Sequence, residues 1–163
     1  MASWWVSKVR RFGRYLGGTV TAGERRDLET WLTPDQARLF DSMHRADRRH
    51  GLDVVGRLRG EATTDPDLLL AGLFHDAGKG RSTGLWHRVG WSLGERYGRR
   101  ARGAVAILPG FSPALDRMAR HAQASADLAR SAGCSERAAE LILLQASPAD
   151  AEGEALRRAD EAS

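Results

Sequence analysis

The chain of 163 residues has the size of one ordinary domain, and its hydrophobic content of 42% is sufficient for a single core. Its one cysteine, Cys134, excludes an internal disulfide and a cysteine-based zinc site. A formal charge of +4, contributed mainly by arginine, suits an anionic ligand but is also common in proteins that bind no nucleic acid. We therefore expect one domain in a reducing cytoplasm. The apolar runs are too short to span a bilayer, which requires about 20 residues.

The first residues predict a basic amphipathic helix. Its apolar stripe consists of Trp5, Val9, Phe12 and Leu16, and the cations between them lie off that stripe. Such a helix either packs its aromatic stripe on the domain, which we favour, or lies on an anionic membrane surface. Because cations interrupt the apolar residues, no secretory signal is predicted.

The next three predicted helices cover residues 24–32, 34–43 and 46–58, where apolar residues recur at helical spacing. Thr33 is a suitable N-cap, and Pro34 suits the first helical position after it. These elements predict a run of short helices before the more apolar centre of the chain.

Helical spacing also orients the first candidate ligand. His50 shares a face with Val54 and Leu58, so we expect its ring to point into the protein. His44, which precedes the same helix among charged residues, is expected to be exposed.

The most apolar segment predicts a buried central helix. It begins at the cap and proline pair Asp65–Pro66 and ends at His75 and Asp76. We expect Gly78 to let the chain turn at this end.

Further helices are predicted over residues 85–97, 112–131 and 136–145, and a last one after Pro148. Gly133 is expected to end the second of these. No convincing alternating strand pattern is present, so the predicted fold class is all-α.

Metal chemistry is the first interpretation of His75 and Asp76. They offer an imidazole nitrogen and a carboxylate oxygen to one cation, and Lys79 adds a charge that attracts phosphate. Neighbouring residues lie about 100° apart around a helix, so the ion must sit at the helix end. Each residue also has a plainer interpretation, as a hydrogen-bonded core histidine or a helix-end cation.

The order of three elements in the chain carries a family resemblance. His50 comes first, His75-Asp76-Ala77-Gly78-Lys79 follows, and Asp160 lies in the last helix. This order resembles the HD-domain superfamily of metal-dependent phosphohydrolases. The resemblance covers about residues 44–161 and implies a compact multi-helix bundle. We expect one domain, residues 1–163, with the helices of residues 4–43 packed on the motif-bearing core.

The resemblance implies a metal held by His50, His75, Asp76 and Asp160. Such a mixed nitrogen and oxygen site suits one divalent ion of Fe, Mn, Co, Ni or Zn better than Mg. The implied activity is hydrolysis of a nucleotide or another small phosphate ester by a metal-activated water. The catalytic groups would then be Lys79, Asp76, His87 and His121, and nucleic acid is not an expected partner.

One departure from the two-metal relatives predicts a single metal. His121 matches an extra histidine of those relatives, which commonly carry further histidines on the next helix. Here that stretch ends in Leu144 and Gln145, which cannot replace imidazoles. The Gly-Tyr-Pro element of the cyclic-di-GMP-cleaving branch is also absent, so that substrate is not expected.

Two other functions remain open at this point. One is a non-catalytic, metal-containing module that senses a nucleotide or binds a partner. The other is a basic adaptor for nucleic acid or a membrane surface, which depends only on the arginine excess and the aromatic N-terminal residues. The sequence names neither the substrate nor the oligomeric state.

Overall fold

The computed structural model describes residues 19–80 and 119–163. These residues form α-helices and one 3-10 turn, without a strand among them, which confirms the all-α prediction. The N-terminal amphipathic helix, the helix over residues 85–97 and His87 lie outside the described residues. The helices are α1 Ala22–Trp31, α2 Pro34–Ser42, α3 Arg45–Gly60, α4 Pro66–Phe74, α5 His121–Ser131, α6 Glu136–Leu143 and α7 Ala151–Ala162, with the 3-10 turn Ala77–Lys79 following α4.

Side-chain caps start several of these helices, as predicted. The Thr33 hydroxyl accepts a hydrogen bond from the Gln36 backbone N–H at the start of α2. The Asp65 carboxylate accepts from the first turn of α4, and Pro66 occupies its first position. In α7, which follows Pro148, the cap is Asp150.

The helix predicted over residues 112–131 differs from the observed one. In the structure α5 begins at His121, because Arg120 has φ −110° and ψ 11° and lies outside the helix. One continuous helix through this position was therefore a wrong prediction, and residues 112–118 lie outside the described part of the chain. Gly133 follows the end of α5 with φ 78°, the left-handed conformation expected of it.

Helix α4 forms the centre of the described fold. Every residue from Leu68 to Phe74 is buried, and the helix packs against α3, α6 and α7. Gly51 of α3 allows an unusually close approach, since a Cβ there would lie 2.5 Å from the Leu73 carbonyl oxygen. This contact brings the middle of α3, with His50, next to the end of α4, with His75.

Within residues 19–80 and 119–163, no helix is both long enough and apolar enough to cross a membrane.

Candidate metal centre

His75 has the arrangement of a metal-binding imidazole. It follows the last residue of α4 and is only 2% exposed. Its Nδ1 lies 2.9 Å from the Gly72 carbonyl oxygen. A carbonyl can only accept, so Nδ1 donates and Nε2 is the nitrogen left for a cation. That Nε2 is buried and has no hydrogen-bond partner among the described residues.

His50 and Asp160 converge on the same point from two other helices. His50 Nε2 lies 2.8 Å from Asp160 Oδ1, and His75 Nε2 lies 3.6 Å from that oxygen. One ligand atom from each of the three residues lies within 4.8 Å of the other two. The sequence predicted that these three residues would come together, and this geometry could hold a metal ion.

The carboxylate of Asp76 lies beside the His75 ring. Its side chain is buried, and Oδ2 pairs with Lys79 Nζ at 2.5 Å and lies 3.6 Å from His75 Nε2. The other oxygen, Oδ1, lies 3.7 Å from His121 Nε2. Asp76 is not part of the three-residue cluster, so its role as a metal ligand stays a prediction.

Opposite charges control protonation in this buried network. Burial alone would lower the pKa of His75, but the carboxylates of Asp76 and Asp160 raise it to about 9. Burial would raise the pKa of both carboxyl groups, yet both lie far below their usual range. Lys79 and His75 lower the pKa of Asp76, and the hydrogen bond from His50 together with the nearby His75 imidazole lowers that of Asp160. A cation binding at His75 would therefore displace a proton at neutral pH.

Gly78 lies in the 3-10 turn Ala77–Lys79 that follows α4, as expected of a residue that lets the chain turn, and close packing also requires a glycine there. It does not have a positive φ, whereas Gly80 has φ 73°. A Cβ at Gly78 would lie 2.5 Å from the His121 carbonyl oxygen and 2.6 Å from the Ser125 backbone nitrogen. The Gly78 N–H also donates to Ser125 Oγ at 2.8 Å. This contact places the turn after Asp76 on the first turn of α5.

His44 is partly buried, which contradicts the expected exposure. Its Nδ1 accepts a hydrogen bond from the Ala46 N–H at 3.2 Å and caps α3. A capping side chain must fold back on its helix, and this accounts for the partial burial.

One residue of the centre has a role that sequence reasoning missed. The sequence identifies Gln145 only as a poor metal ligand. In the structure its Nε2 donates to the His75 carbonyl oxygen at 3.2 Å and to the Ile142 carbonyl oxygen at 3.0 Å. The available signal was an amide placed just after α6, where helix carbonyls need donors.

We compared the chain with protein-family models, with curated proteins and with solved structures, and none of the three comparisons found a match. The residues of the centre are therefore the guide to its function.

Proposed function

We propose that the protein is a metal-dependent phosphohydrolase of the HD type, acting on a nucleotide or another small phosphate ester. The observation that carries this proposal is the buried Nε2 of His75, which has no hydrogen-bond partner in the described part of the chain and lies beside His50 and Asp160. A core histidine without a ligand would be expected to satisfy both ring nitrogens. The order of His50, His75-Asp76 and Asp160 in the chain supports the same assignment.

His50, His75 and Asp160 would hold the ion. Two imidazoles and a carboxylate suit Fe, Mn, Co, Ni or Zn better than Mg. When bound, such a cation lowers the pKa of water and neutralises charge on phosphoryl oxygens.

The remaining polar residues would act on the substrate. Lys79 Nζ, in a side chain 18% exposed, provides positive charge beside the centre. His121, 26% exposed at the first position of α5, has its Nε2 near Asp76 Oδ1 and would exchange a proton or hydrogen bond with a substrate oxygen. Asp76, held by Lys79, keeps a negative charge facing that imidazole.

The test combines metal analysis with a substrate panel. After extensive dialysis we expect one firmly bound transition metal per chain, and phosphate release from at least one nucleotide or small phosphate ester. Chelation should abolish release, and adding the same metal back should restore it. Metal-replete protein that is inactive on every phosphoester would overturn the enzymatic proposal. Saturable nucleotide binding without hydrolysis would instead support the sensing module.

A further inference from the structure

The backbone carbonyl of His75 needs a partner from outside its helix. The last carbonyls of a helix have no intrahelical donor. In the turn after α4, Lys79 N–H donates to the Asp76 carbonyl oxygen at 3.1 Å, and Gly78 N–H donates to Ser125 Oγ. Neither of these bonds reaches the His75 carbonyl, and among the residues that the structure describes it is Gln145 Nε2 that donates to it.

The Gln145 side chain supplies two donors between these helix ends. The two groups facing Gln145 Nε2 are the carbonyl oxygens of His75 and Ile142, which only accept. The primary amide places one hydrogen on each and so links the C-terminal end of α4 to that of α6. Ionised glutamate has the same shape and no donor, and methionine has a similar length and no donor.

We propose that Gln145 is a positioning residue of the metal centre. It holds the backbone of His75, while the Gly72 carbonyl holds the ring through Nδ1. With both fixed, Nε2 stays directed at Asp160, 3.6 Å away. Gln145 acts through His75 and does not touch the ion, and its role rests on the proposed metal-dependent function.

Cobalt binding to protein stripped of metal by a chelator tests this role without any substrate. We expect Gln145→Met to bind Co²⁺ about 10–100-fold more weakly than the wild type, with altered visible absorption bands, as is typical when a residue supporting a ligand is lost. Gln145→Asn keeps the two donors on a shorter stem and should show a smaller loss. The melting temperature should fall by only about 2–4 °C in either variant.

Gln36→Met is the matched control for loss of a buried amide. Gln36 is 4% exposed, and its amide bonds the Thr33 N–H and Cys134 Sγ. This variant should lower the melting temperature and leave Co²⁺ affinity unchanged.

The outcomes separate the two proposals. Wild-type Co²⁺ affinity in Gln145→Met, or an equal loss in Gln36→Met, would overturn the positioning role and leave the metal centre standing. If Gln145→Met does not fold, wild-type affinity in Gln145→Leu, which also lacks a donor, decides against the role in the same way. Failure of the wild type to bind Co²⁺ would overturn the metal centre and the positioning role together.

Discussion

The two halves of the candidate metal centre are held very differently. His75 is 2% exposed, and Gly72 and Gln145 fix its ring and its backbone. The side chains of His50 and Asp160 are 23% and 38% exposed, and they contact each other at 2.8 Å. The buried half fixes where the His75 Nε2 points, and the partly exposed half leaves one side of the candidate centre in contact with solvent. Substitutions in the two halves should therefore have different consequences.

Replacing the buried candidate ligand His75 should both weaken metal binding and lower the stability of the protein. We expect His75→Ala to weaken metal binding more than about 100-fold, beyond the effect of losing an outer partner. The cavity should lower the free energy of unfolding by about 2–4 kcal/mol. Metal titration and urea unfolding measure the two effects. His44→Ala is the control, because it removes a capping imidazole at a cost of about 1 kcal/mol and should leave metal affinity intact. Metal retention in His75→Ala would refute the centre.

Replacing the partly exposed candidate ligand Asp160 should weaken metal binding and have little effect on stability. We expect Asp160→Asn to weaken metal binding at least about 10-fold. The free energy of unfolding of the metal-free protein should change by no more than about 1 kcal/mol, because the lost carboxylate is partly solvated. Glu161→Gln removes the same charge one residue later, from a side chain 61% exposed, and should change neither quantity. Equal metal loss in both variants would mean that general charge, and not ligation, attracts the ion.

The ion pair of Lys79 and Asp76, next to the buried His75, should stabilise the folded protein, and its contribution should depend on pH. Lys79→Met leaves the buried Asp76 carboxylate without its cation, so the free energy of unfolding of the metal-free protein should fall by about 2 kcal/mol at pH 7. The pKa of Asp76 is lowered in the folded state. Its contribution is therefore present above the unfolded-state pKa of about 3.9 and is lost as the pH falls through the lower folded value.

The difference in the free energy of unfolding between wild type and Lys79→Met should accordingly be smaller in acid. Urea unfolding at pH 7 and at pH 3 would measure this change. Arg38→Met is the matched control, because Arg38 pairs with Asp35 at the same spacing on an exposed surface. It should cost no more than about 0.5 kcal/mol. A Lys79→Met variant as stable as this control would show that the Asp76 pair contributes nothing.

The sequence predicted the buried half of the centre because its signals are local. A continuous apolar run, a capped start at Asp65 and the adjacent His75 and Asp76 all lie within one short segment. The inward direction of His50 followed from its spacing with Val54 and Leu58. Asp160 could be assigned only from chain order, because its surroundings read as an ordinary polar helix.

The other structural features around the centre leave no local pattern in the sequence. Gln145 reaches His75 across 70 residues, and the glycine at position 78 is required by the backbone of α5, which only the folded structure reveals. The break at Arg120 likewise interrupts a segment whose apolar spacing is compatible with a continuous helix. Histidine is not a favoured N-cap, so the capping role of His44 was not evident from its residue type.

The separation of His50 and Asp160 along the chain has a consequence for folding. These residues are 110 positions apart, so an ion held by both would close a loop that includes most of the protein. Such an ion would act as a removable cross-link between distant parts of the folded chain. The complete candidate ligand set exists only after α3, α4 and α7 have docked, so capture of an ion would be a late event in folding. Free metal concentration would then set how firmly the C-terminal helix is tied to the rest of the chain.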